Sequence, residues 1–151
     1  MAERAARSFA PALPTVLFAD ASEDYRAMAA DALLEGSTPI QLRFAENGGE
    51  LMRRLEQEQR PALILLDAAL PGTPGGLDAV RSIKSNSSLR RIPVVVLTTD
   101  PDPALVARAY DAGANTLIAK PVTFLALVKV VKVFTAYWLE TAELPPATEA
   151  A

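Results

Sequence analysis

The sequence predicts an α/β fold built on a five-stranded doubly wound parallel sheet. Three observations predict it. Five short apolar runs recur along the chain, segments with helix caps and helical spacing lie between them, and the two central runs are apolar without a break. An unbroken apolar run too short for a helix suits a parallel strand buried on both faces. At 151 residues the chain is sized for one domain.

Thr15-Val16-Leu17-Phe18-Ala19 is β-branched and apolar, and it reads as a first strand ending at Asp20. Ser22 then caps a helix, with Glu23 and Asp24 complementing its dipole and Gly36 stopping it. Ile40 to Phe44 is a second strand closed by Asn47-Gly48, and a polar helix follows from about Gly49 to Gln59. Ala62-Leu63-Ile64-Leu65-Leu66 is the third strand and stops at Asp67. The Gly- and Pro-rich loop Pro71-Gly72-Thr73-Pro74-Gly75-Gly76 leads to a helix from about Leu77 to Ser85. Val94-Val95-Val96-Leu97 is the fourth strand, ending in Thr98-Thr99, and Asp102-Pro103 starts a helix that Gly113 ends. Asn115 to Ala119 is the fifth strand, followed by Lys120-Pro121 and a last helix from about Thr123 to Glu140. Residues 1–13 read as a flexible arm, 14–141 as the domain and 142–151 as a tail.

Composition narrows the chemistry. The chain has no histidine and no cysteine, so it has no Cys/His zinc site, thiol nucleophile, disulfide or Ser-His-Asp triad. A net charge of −3 argues against broad binding of nucleic acid or anionic membrane. The most apolar stretch, Phe124 to Leu139, contains Lys129 and Lys132 and is too short to span a bilayer. A cytoplasmic protein is expected.

In open sheets of this kind, ligands sit beyond the carboxyl ends of the strands. Four of those ends carry polar groups: Asp20, Asp67, Thr98 and Lys120. They are separated by 47, 31 and 22 residues, so only the sheet can gather them. Taken singly, each has an ordinary structural use, as a helix cap, a turn former, a strand terminator or a solvated charge. Together they define a narrow chemistry. Two carboxylates make a hard-oxygen site suited to Mg²⁺, and Asp67 could attack a phosphoryl group as a nucleophile. Lys120 and the Thr98 hydroxyl would stabilise the phosphoryl oxygens.

These residues, with Leu70-Pro71-Gly72, Pro93-Val94-Val95-Val96-Leu97-Thr98 and Gly113-Ala114-Asn115 leading to Lys120-Pro121, resemble the CheY-like receiver domains of two-component response regulators. The resemblance covers roughly residues 14 to 140. It implies strand order 2-1-3-4-5, an order for which CheY is itself a standard example. It also implies Asp67 as phosphoacceptor and Asp20, Asp67 and the Ala69 backbone carbonyl as Mg²⁺ ligands. Thr98 would be the switch hydroxyl and Lys120 the phosphate-binding lysine, with a cis Lys120-Pro121 bond. Leu97-Thr98-Thr99, the segment Ala109 to Asn115 and Ala136-Tyr137-Trp138-Leu139 look like the single-domain regulators paired with bacterial phytochromes.

The pattern is broken in places. Receivers usually carry two adjacent acids after the first strand, and here the first is Ala19. The fifth-strand position that is often aromatic is Leu117, and the loop through Thr73 to Gly76 is one residue longer than usual. Two readings follow. The first is a single-domain response regulator, a signalling protein and not an enzyme, phosphorylated on Asp67 by a partner histidine kinase such as a bacteriophytochrome. The alternative is a degenerate receiver that binds partners without phosphorylation. A phosphohydrolase is disfavoured because Ala69 stands where a second Asp is usual, and dinucleotide binding because no G-x-G-x-x-G follows a strand.

The last helix carries two apolar rows. At 100° per residue, Phe124, Leu127, Val128, Val131, Phe134, Thr135 and Trp138 share a face that can cover the sheet. Ala126, Val130, Val133 and Tyr137 form a second row, which predicts a homodimer interface on this helix.

Overall fold

The computed structural model describes residues 13–36 and 38–145. Five parallel strands, β1 (Thr15–Ala19), β2 (Gln41–Ala45), β3 (Leu63–Asp67), β4 (Val94–Thr98) and β5 (Thr116–Ala119), pair in the order β2-β1-β3-β4-β5. Helices alternate with them: α1 (Glu23–Leu34), α2 (Gly48–Gln57), α3 (Gly76–Ser85), α4 (Pro103–Asp111) and α5 (Phe124–Trp138). The expected fold class and strand order are both present, with element ends moved by at most two residues.

Each face of the sheet has its own core. Leu17, Ala19, Ile64, Leu66, Val94 and Val96 point to the side covered by α2, α3 and α4. Val16, Phe18, Leu63, Leu65, Val95 and Leu97 point to the side covered by α1 and α5. This alternation explains why the central runs are apolar at every position. On α5, Leu127, Val131 and Phe134 are buried, each contributing about 1.5–3 kcal/mol. Phe124, expected on that face, is 37% exposed instead.

The caps expected at Ser22 and Asp102 form, and Asn47 and Thr123 cap two further helices. Ser22, Asn47, Asp102 and Thr123 each accept a hydrogen bond from a backbone N–H in the first turn of α1, α2, α4 and α5. The long loop before α3 folds back onto the start of α2, where a Cβ on Gly48 would lie 1.5 Å from the Pro74 carbonyl oxygen. Only glycine fits there. Asn115 ties the two strands that carry Thr98 and Lys120, its Oδ1 accepting from Val94 N at 2.9 Å.

The expected arm and tail lie mostly outside the described residues, since 1–12 and 146–151 are not among them. No helix among the described residues is long and apolar enough to cross a membrane.

Candidate functional site

The sheet topology places Asp20, Asp67, Thr98 and Lys120 at one edge. Asp67 and Thr98 are the last residues of β3 and β4, while Asp20 and Lys120 directly follow β1 and β5. Asp20 is 1% exposed, at the end of an interior strand flanked by β2 and β3. Its Oδ1 accepts from Ser22 N at 2.8 Å, and its carbonyl accepts from the Arg26 guanidinium at 2.6 Å. Asp67 is half-buried and its Oδ1 accepts from Ala69 N at 2.8 Å.

Lys120 joins the two acids. Its Nζ lies 2.7 Å from Asp20 Oδ2 and 2.8 Å from Asp67 Oδ2. The contact with Asp67 is a hydrogen bond. That with Asp20 is an ion pair without hydrogen-bond geometry, so the buried Oδ2 of Asp20 has no hydrogen-bond partner. Burial works against the charge on Lys120, but the two carboxylates outweigh it and hold its pKa above the ordinary lysine value.

Thr98 is buried, and its Oγ1 accepts from Asp100 N at 3.2 Å. Its carbonyl accepts from Lys120 N at 2.7 Å, which fixes the start of the loop after β5 against β4. Ala69, the third expected metal ligand, is exposed two residues beyond Asp67. Among the described residues no three acids cluster. Ala19 supplies no carboxylate and is fully buried among Leu17, Leu66 and Ala45.

The donor set can be judged against a divalent cation. Two carboxylate oxygens, one lacking any hydrogen bond, converge on a single cationic point now filled by an ammonium. A hard cation suits such oxygens, so the residues present fit one.

Several expectations need correction. The Lys120-Pro121 bond is trans, and the cis bond among the described residues is Thr73-Pro74. Pro121 in this form offers its carbonyl to the Tyr25 hydroxyl at 2.8 Å. The proposed dimer row is also not one continuous surface. Val133 and Tyr137 are 72% and 54% exposed, whereas Ala126 and Val130 are half-buried. Val130 packs against the core under α1 and α5, because α1 lies along that flank of the helix.

Tyr25 and Arg26, which the sequence reading did not single out, belong to this site. The spacing of Tyr25, Met28, Ala29 and Ala32 puts the tyrosine on the sheet-facing side of α1 but does not mark it as a site residue, and nothing in the spacing marks Arg26.

The response regulator receiver domain model matches residues 16–132. Response regulator Rcp1 of Synechocystis sp. is 39% identical over 104 residues, covering 69% of this chain and 67% of Rcp1. The crystal structure of the phosphorylated cyanobacterial phytochrome response regulator RcpA superposes with a TM-score of 0.83 at 33% identity. That match covers 89% of this chain and all of RcpA. The Mn²⁺-bound form of Rcp1 superposes at 0.80 with 32% identity, covering 88% of this chain and 99% of Rcp1. A family model spanning most of the chain, two close structural likenesses and a site gathered at the strand ends agree, and the chain belongs to the response regulator receiver domain family.

Proposed function

We propose that this protein is a response regulator that accepts a phosphoryl group on Asp67 from a phosphohistidine of a partner kinase. The observation that carries it is the Lys120 ammonium bridging Asp67 and Asp20 at 2.8 and 2.7 Å. In the reaction, a carboxylate oxygen of Asp67 forms the new P–O bond as the P–N bond to the donor imidazole breaks. The imidazole leaves with the electron pair and takes up a proton. Lys120 neutralises charge on the phosphoryl oxygens, and Thr98, whose Oγ1 serves only as an acceptor in its bond to Asp100, has its proton to donate.

Asp20, Asp67 and the Ala69 carbonyl would hold Mg²⁺, which when bound supplies positive charge against the phosphoryl oxygens. The partner kinase is a phytochrome, by analogy with RcpA. A cytoplasmic setting accords with the absence of cysteine and with a kinase as donor. The signal leaves by protein contact, with a homodimer formed through α5 at Val133 and Tyr137, flanked by Ala126 and Val130.

Incubation with Mg²⁺ and acetyl phosphate tests the reading by intact mass. A gain of one phosphoryl group that requires Mg²⁺ is expected. No gain would favour the degenerate alternative, for which Ala19 and Leu117 are the motive.

A further inference from the structure

Lys120 is held on a third side by an aromatic ring. The Tyr25 ring centroid lies 4.0 Å from Lys120 Nζ, a distance at which the negative face of a ring attracts an ammonium. Tyr25 is itself fixed. Its hydroxyl donates to the carbonyl of Pro121, the residue next to Lys120, at 2.8 Å. Its backbone N–H donates to Ser22 Oγ at 3.0 Å, and its ring meets Phe18 edge-on with centroids 6.1 Å apart. Ser22 N in turn donates to Asp20 Oδ1. One tyrosine therefore links the first turn of α1, the metal-side carboxylate and the loop that carries the lysine.

We infer that Tyr25 is a positioning residue for phosphoryl transfer, its ring confining the Lys120 ammonium beside Asp67. The inference rests on the reading of Asp67 as phosphoacceptor. A lysine ammonium sits on a flexible four-carbon stem. Released from one carboxylate, it can swing away from the reacting oxygens, and the loss of orientation slows transfer. The ring, 4.0 Å from the ammonium, gives it an attractive contact that does not depend on either carboxylate and so opposes that swing. The Pro121 tether keeps the ring and the lysine backbone in register.

Tyr25→Leu removes the ring, and Tyr25→Phe keeps it while removing the tether. With Mg²⁺ and acetyl phosphate, Tyr25→Leu should lower the phosphorylation rate about tenfold. Tyr25→Phe should recover it to within about threefold of the unaltered protein. A spectroscopic reading accompanies the rates. In the metal-free, unphosphorylated protein the Lys120 ε-methylene protons should be shifted upfield by the ring, equally in Tyr25→Phe, and the shift should vanish in Tyr25→Leu. Tyr25→Leu reacting as fast as the unaltered protein overturns the inference. So does Tyr25→Phe reacting as slowly as Tyr25→Leu, which would make the tether the cause. If the unaltered protein takes no phosphoryl group, the Asp67 reading fails instead. The Lys120 signals, recorded without donor, then still report whether the ring holds the ammonium, and an unshifted signal overturns that holding.

Discussion

Lys120 Nζ donates to Asp67 Oδ2 at 2.8 Å although the two residues stand 53 positions apart in the chain. The bond exists because β3, β4 and β5 are hydrogen-bonded neighbours, so their carboxyl ends share one edge. It leaves the proposed phosphoacceptor paired with the group that would receive the phosphoryl oxygens. Any cation entering between Asp20 and Asp67 must compete with the same ammonium.

Lys120→Met removes the cation that bridges the Asp20 and Asp67 carboxylates, the first of them nearly fully buried. In a chelator, stability should fall by about 3–5 kcal/mol, as for a buried pair broken from one side. Mg²⁺ should recover much of that loss by taking the vacated position. Urea unfolding with and without Mg²⁺ reads both effects, and a mutant as stable as its parent in chelator would deny Lys120 this role.

Ala19→Asp should strengthen Mg²⁺ binding by roughly 10–100-fold, the usual worth of a supporting ligand. The position is completely buried in an apolar cluster, so the same change should destabilise the metal-free protein. Calorimetry gives the affinity and urea unfolding the cost. Equal Mg²⁺ affinities for the two proteins would make Ala19 immaterial.

Tyr25 gives the site an alkaline signature. Burial, then the charges of Asp20 and Asp67, raise its phenol to about 12. The unfolded phenol ionises near ~10, so the folded state binds the proton more tightly and loses stability as pH rises from there toward 12. In an ultraviolet absorbance titration of metal-free protein, Tyr25→Phe should delete a step near pH 12. A titration curve that keeps this step in the mutant would show that the phenol is not the one assigned.

The four strand-end residues were legible because a parallel strand writes its end in one dimension, as an apolar run stopped by a polar side chain. Leu66 before Asp67 and Leu97 before Thr98 are such stops. Tyr25 was not legible as a site residue, since its hydroxyl partner is 96 positions away and belongs to another loop. Helical phase found the two rows of α5 but not which of them a neighbour covers. Val130 is claimed by the core beside α1, and Phe124, in the first turn, escapes it. The trans Lys120-Pro121 bond has no sequence signal, because both isomers of an X-Pro bond are accessible.

The remaining apolar exposure on α5 makes the proposed dimer a marginal one. Burying Val133 and Tyr137 contributes roughly 1.5–3 kcal/mol each, doubled by two-fold symmetry, against an association cost of roughly 4–15 kcal/mol. Val133→Glu places a charge in the row on both protomers and should give monomers in sedimentation. Unaltered protein that already sediments as a monomer at micromolar concentration would remove α5 as an interface.

Phosphorylation of Asp67 is tested most directly by the intact mass of Asp67→Asn beside its parent after incubation with Mg²⁺ and acetyl phosphate. The parent should gain one phosphoryl group and the mutant none, with both folded by circular dichroism. The same gain in the mutant would contradict Asp67 as the acceptor.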